Sequence, residues 1–221
     1  QPIDSMYREL IRTMIAHYDV NPDKGYLLGY SAGGDGVWRM APRMADHWAA
    51  ASMMAGHPGD VKQENLLNTH YMIWCGANDT AYDRNHLNKE RGLVMDSLQN
   101  AHPDGYIHET HILEGKGHWM DREDAAALPW MAQYKRQTWP KHIIWPQEAV
   151  FRPTFYWLEA PREELSRGKR VDVTVKGNTI NISRMDDSSL TLYLSKELLD
   201  ISKPVIVKLR GIKVFKGRIK H

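Results

Sequence analysis

GYLLGYSAGGDG, residues 25–36, places a short apolar run (Tyr26, Leu27, Leu28) directly before the pentapeptide Gly29-Tyr30-Ser31-Ala32-Gly33. Apolar residues then recur at helical spacing, at Val37, Met40, Ala41 and Met44. Strand, sharp turn and helix in that order present a serine hydroxyl at the end of a strand, with its backbone strained and glycines on either side allowing close approach. Ser31 is the candidate nucleophile. The pentapeptide alone fits equally well a plain strand-to-helix turn whose serine caps the helix, so the rest of the chain has to decide.

Length and composition set the frame. The chain has 221 residues, 42% hydrophobic and 25% charged, enough for one large domain or two smaller ones. Its 29 basic and 27 acidic side chains give a formal charge of +2, which argues against an electrostatic nucleic-acid footprint. No apolar run reaches the roughly 18 residues that a membrane span needs. The single cysteine, Cys75, follows Tyr71, Met72, Ile73 and Trp74 and reads as a buried strand thiol without an internal disulfide partner. The first residues, QPIDSMYREL, have no signal-peptide character, and the compartment stays open.

In chain order, Ser5 to Tyr18 carries a helical stripe (Met6, Leu10, Ile11, Met14, Ile15) with Asp4 or Ser5 as N-cap, and Asn21-Pro22-Asp23-Lys24 is turn chemistry. Trp48 to Ala55 and His70 to Gly76 read as strands buried on both faces, Tyr106 to Leu113 as a further strand, and Asn88 to Ala101 and Asp124 to Tyr134 as helices. That alternation predicts an α/β layer built on a parallel sheet. Beyond about Pro140 the pattern changes to short period-two runs: Thr154–Leu158, Arg170–Lys176, Thr179–Ser183, Leu190–Leu194, Val205–Leu209 and Lys213–Ile219. They predict a small antiparallel, sandwich-like β domain, with the boundary at 145/146. The stretch from Lys203 to Lys220 contains lysines and arginines and no acidic residue, which reads mainly as solvated strand faces and protected edges.

A serine hydroxyl needs a base, and the base an orienting acid. Asp79 follows one predicted strand and His118 lies in a glycine-flanked loop after the next, which is the order Ser, acid, His at successive strand ends. Asp83 is the second choice for the acid. His108 and His111 have a metal-like spacing, but on a strand their rings point to opposite faces, so neither a metal nor a cofactor is called for. One oxyanion donor is the N–H of Ala32. Tyr30, His57, Tyr82 and Trp119 flank the strand ends and are candidate substrate-binding residues. Trp38, Trp48, Trp74, Trp130 and Trp157 fall in predicted core elements, which weighs against sugar stacking.

These stretches (Val20–Asp46, Ala49–Asp60, GANDTAYDRN at 76–85 and EGKGHWMD at 114–121) resemble the α/β-hydrolase superfamily, in particular dienelactone-hydrolase, carboxylesterase and polyhydroxybutyrate-depolymerase-like esterases. The resemblance covers about residues 1–145 and implies a Ser31-Asp79-His118 triad acting on a small-molecule or polymeric ester. It also implies about four strands and a helix ahead of the elbow strand. From that follow three expectations: residues 1–221 are the later part of a longer enzyme, weakly active alone, with a second oxyanion donor elsewhere; the elbow strand lies at a sheet edge; and that edge self-associates or pairs with an N-terminal segment. Two alternatives accompany this reading. One is a prolyl-oligopeptidase-like serine peptidase with the same triad, and the other is a non-catalytic binding or assembly module on a degenerate hydrolase scaffold.

Overall fold

The computed structural model describes residues 3–148 and 152–219. Lys220, the last basic residue of the tail, lies outside them. The chain forms two compact units, 1–137 and 138–221. The division falls ahead of 145/146 because the strand His142–Pro146 pairs with Arg170–Lys176 of the second unit.

The first unit is an α/β layer. Helix α1 (Ile3–His17) precedes strand β1 (Tyr26–Tyr30), helix α2 (Ala32–Arg43), β2 (Ala50–Met54), β3 (His70–Gly76), α3 (Arg84–Ala101), β4 (His108–Leu113) and a short α4 (Ala127–Met131). The four strands lie side by side in sequence order, and every neighbouring pair is parallel. Sequential parallel strands need crossover connections; α2 and α3 supply two of them, and residues 55–69, with a 3-10 turn at Glu64–Asn68, supply the third.

Alternation along the strands sorts the core into two faces. Ala50, Met54, Met72 and Trp74 meet Met120, Ala127 and Met131 on the α4 side. On the other side Trp38 of α2 packs against Tyr71 with ring centroids 5.1 Å apart and donates its indole N–H to Asn88 of α3 at 3.0 Å. Asn88, fully buried, donates in turn to Gly56 O at 2.8 Å, tying α2, α3 and the loop after β2 together. Both faces of β2 are therefore covered, which is why all five of its residues, Ser52 included, are buried.

Cys75 lies in this core, and burial pushes its thiol up to about 11. A thiol that is neutral and shielded reacts slowly. Iodoacetamide at pH 8 is expected to leave Cys75 unmodified in the folded chain and to alkylate it fully in denaturant. Rapid modification without unfolding would contradict this packing.

Several elements differ from expectation. Helix α1 begins at Ile3, so Asp4 is not a cap; it sits buried in the first turn and pairs with Arg43 at 2.8 Å. The apolar stripe of α1 faces outward: Met6 and Leu10 are 60% and 55% exposed. Strand β1 is the edge of the sheet among the described residues, with Leu28 exposed. Helix α3 begins at Arg84 rather than Asn88. The helix expected over 124–134 is a 3-10 turn at Glu123–Ala126 followed by the five-residue α4.

In the second unit β5 (His142–Pro146), β8 (Arg170–Lys176), β9 (Thr179–Met185), β11 (Val205–Leu209) and β12 (Ile212–Gly217) form one sheet, ordered β12-β11-β9-β8-β5. The stretch expected as one strand over 154–158 is a tight hairpin of β6 (Thr154–Phe155) and β7 (Leu158–Glu159), which β10 (Thr191–Leu192) extends to three strands. Pairing is antiparallel except that β11 runs parallel to β9, and the long connection 186–204 makes that crossover feasible.

Candidate active site

Ser31 lies between β1 and α2 with φ 58° and ψ −121°. A non-glycine residue held there stores roughly 1–3 kcal/mol of backbone strain, which persists only where the surroundings over-determine it. They do so here. Ser31 N–H donates to Met54 O at 2.9 Å, and Asp35 N–H donates to Ser31 O at 3.0 Å. Gly29 is required by space: a Cβ on it would lie 2.3 Å from Gly33 O.

Two loops deliver the partners. After β3 the chain turns through Ala77 to Thr80; after β4 it turns through Gly115 to Trp119. Ala77 N–H donates to Leu113 O at 2.9 Å and Asn78 N–H to Lys116 O at 2.8 Å, so the loops are stitched together. Lys116 braces the second loop through Asp121 and Glu123 at 2.8 and 2.9 Å, and the hydrogen bond to Asp121, then that to Glu123, raises its ammonium to about 12.

The structure brings Ser31, His118 and Asp79 together. His118 Nε2 is 2.9 Å from Ser31 Oγ, and His118 Nδ1 is 2.8 Å from Asp79 Oδ2. Asp79 is buried, while the His118 ring is partly open to solvent. With Nδ1–H donated to the carboxylate, Nε2 is left as an acceptor for the serine hydroxyl. Asp83, the second choice, points away: its side chain is exposed and pairs with His86 at 3.2 Å.

Tyr30 donates its hydroxyl to His118 O at 2.9 Å and packs its ring 5.2 Å from the imidazole. Burial, followed by the charge of Asp124, raises its phenol pKa. Trp119 is exposed and meets Tyr30 edge to face at 6.1 Å. His57 is turned to its own loop, with its N–H on Asp35 at 2.6 Å and its ring Nδ1 accepting from Gly59 N–H at 3.0 Å. Tyr82 is 77% exposed and lies against the Arg84 guanidinium at 5.0 Å. His108 and His111 diverge as their strand positions require: His108 pairs with Asp96, while His111 stacks on Trp74. Among the described residues no group of three metal-ligating side chains forms.

Sequence reasoning missed Arg84, whose Nη1 reaches Asp79 Oδ1 at 3.1 Å. Placing the start of α3 at Asn88 left Arg84 in a loop. Asp83 as the residue preceding a helix would have put Arg84 in the first turn, facing back toward Asp79.

Gly76 fixes the distance between the loops, since a Cβ there would lie 2.1 Å from Gly117 O. Gly76→Ala is expected to cost roughly 1–3 kcal/mol, as overpacking does. Because His118 would shift with the loop, reaction at Ser31 should slow by about 10²-fold. Thermal melts and the labelling rate of Ser31 check both, and a variant unchanged in each would show that the contact is easily relieved.

No protein-family model matches the chain, and no curated protein sequence matches it. Solved structures do resemble it. A thermostable esterase aligns over 62% of this chain and 38% of its own, at 17% identity and TM-score 0.49. A ferulic acid esterase aligns over 58% and 59%, at 18% identity and TM-score 0.41. The S-formylglutathione hydrolase of Staphylococcus aureus aligns over 57% and 61%, at 14% identity and TM-score 0.36. The chain thus spans between 38% and 61% of the length of these structures. The fold itself is defined by strand order and pairing: a parallel β1-β2-β3-β4 layer with helices in its connections, followed by the smaller, mainly antiparallel β unit.

Proposed function

We propose that this chain carries the nucleophile, base and acid of a serine hydrolase that cleaves carboxylic esters through an acyl-enzyme. The observation that carries the reading is the pair of hydrogen bonds joining Ser31 Oγ to His118 Nε2 and His118 Nδ1 to Asp79 Oδ2, at 2.9 and 2.8 Å. Ser31 at φ 58° on the β1–α2 turn supports it, since that is the backbone of a nucleophile elbow.

In the reaction, His118 takes the Ser31 proton as Oγ attacks the ester carbonyl, and Asp79 holds the imidazole with Nε2 toward the serine. The oxyanion that forms lies at the start of α2. There the N–H of Ala32, the first helical residue, has no acceptor within the helix and the helix dipole favours negative charge. His118 then gives its proton to the leaving alkoxide. Water, deprotonated by the same ring, releases the acid and restores Ser31. Trp119 and Tyr30, beside His118, are the residues placed to meet the substrate. A hydroxyl nucleophile with a His-Asp pair requires no metal or cofactor.

A fluorophosphonate probe tests the reading. Mass spectrometry should find the phosphonyl adduct on Ser31, and labelling should stop when the chain is unfolded. Labelling elsewhere, or none in folded protein, would overturn the assignment. Matched p-nitrophenyl ester and p-nitroanilide substrates separate ester from amide cleavage, and faster anilide hydrolysis would replace the esterase reading with the peptidase one.

A further inference from the structure

The Asp79 carboxylate is shared. One oxygen faces His118 Nδ1 at 2.8 Å, and the other accepts from Arg84 Nη1 at 3.1 Å. This ion pair is nearly dry, with the side chains of Arg84 and Asp79 12% and 1% exposed. Removing one partner of such a pair strands the other, so the arrangement is a commitment of the fold rather than an incidental surface contact.

The backbone is bent to make it. Tyr82 and Asp83 are consecutive non-glycine residues in the left-handed region, with φ 55° and 58°. Each carries a conformational cost, and together they turn the chain so that α3 opens on Arg84 with its guanidinium directed back at Asp79. Asn85 N–H donates to Asp79 O at 3.1 Å, and Asp79 N–H donates to Gly76 O at 3.1 Å, which pins the Asp79 backbone on both sides. Tyr82 covers the guanidinium with its ring face 5.0 Å away. Arg84 Nε is buried with no hydrogen-bond partner among the described residues. A donor left unsatisfied costs stability, so the position is not explained by stability alone.

We propose that Arg84 is a positioning residue for the Asp79-His118 pair: it occupies one carboxylate oxygen so that the other is aimed at His118 Nδ1, and its positive charge offsets part of the negative charge that the imidazole feels. The proposal rests on the serine-hydrolase reading. Its consequence is electrostatic as well as geometric. An Asp79 carboxylate without its cation would hold a protonated imidazole more tightly, and a protonated His118 cannot accept the serine proton. Tyr30 at the end of β1 faces the imidazole, with Asp124 acting on its phenol, and the buried Cys75 on β3 feels the charges of Asp79 and Arg84. Lys116 lies on the loop of His118 itself, neutralised by Asp121 and Glu123.

The experiment measures the rate of Ser31 labelling by a fluorophosphonate between pH 5 and 9 in the parent chain, Arg84→Met and Arg84→Lys. Methionine keeps the stem and removes the charge. Its labelling is expected to slow about tenfold at neutral pH, with the acid limb of the profile moved up by about one pH unit, the lower end of what a neighbouring opposite charge does. Lysine keeps the charge but replaces the planar guanidinium, and with it the placement of the donor that now sits 3.1 Å from Asp79 Oδ1, so its rate should fall while its acid limb stays with the parent's. If Arg84→Met does not fold, Arg84→Lys decides: an acid limb displaced upward in it overturns the proposal, and one that stays supports it. An Arg84→Met profile superimposable on the parent's, even with a lower melting temperature, overturns it and leaves Arg84 a structural residue. That failure is distinct from failure of the underlying reading, which would show as no labelling of Ser31 in the parent.

Discussion

Ser31→Ala is expected to lower kcat for ester hydrolysis by roughly 10⁴- to 10⁶-fold, the loss that follows removal of a serine nucleophile whose partners act as a unit with it. The substitution deletes one oxygen and leaves the backbone bonds at this position, Ser31 N–H to Met54 O and Asp35 N–H to Ser31 O. Alanine pays the same conformational cost as serine at φ 58°, so the melting temperature should change little. Activity and stability are therefore separable here, and circular dichroism beside the kinetics makes the separation visible. Glycine at the same position adopts a positive φ without strain and serves as the second variant: equally inactive, and folded. Should Ser31→Ala retain more than a few per cent of parental turnover while folded, the hydroxyl is not the nucleophile, and the 2.9 Å contact to His118 would be a structural hydrogen bond. Fluorophosphonate labelling of the same variant guards against a contaminating hydrolase, because a contaminant would still take the probe.

How far these residues could be read from sequence depends on how local their determinants are. The β1–α2 turn is legible because a strand, a glycine-flanked serine and a helical stripe are all contained in residues 25–44. Asp79 and His118 are legible for a different reason: a parallel sheet places the loops after successive strands on one rim, so their order along the chain becomes their arrangement in space. Arg84 was not legible, since its role comes from two left-handed residues, Tyr82 and Asp83, and neither side chain favours that conformation strongly enough to announce it. The same turn places Tyr82 against Arg84, where the sequence suggested a substrate contact. In α1 the apolar stripe predicted the helix correctly but not its surroundings, because periodicity records which face avoids water and not what that face meets. The parallel β11–β9 pair likewise escaped a reading built from hairpin signals, which see only neighbours in sequence.

Asp79→Asn should lower kcat by about 10⁴-fold, the cost of fixing the wrong tautomer of the base when the orienting carboxylate becomes an amide. Arg84 determines which way that amide points. Its guanidinium, 3.1 Å from Oδ1, has only donors to offer and so selects the amide oxygen. The amide NH₂ is then left facing His118 Nδ1 across the 2.8 Å gap that Oδ2 now spans. Nδ1 must accept rather than donate, the ring proton moves to Nε2, and His118 can no longer take the proton of Ser31. Asparagine fills the same space and keeps a hydrogen bond to Arg84 but not its counter-charge, so the melting temperature should fall as well, and the rate is to be compared on folded protein below the variant's transition. Asp83→Asn is the matched control, since that carboxylate is exposed and pairs with His86 at 3.2 Å, and it should leave the rate within about twofold of the parent. Steady-state kinetics on the pair decides between them. Were Asp79→Asn to stay within tenfold of the parent while Asp83→Asn collapsed, the orienting acid would be Asp83, and the hydrogen bond between Asp79 and His118 would have no part in turnover.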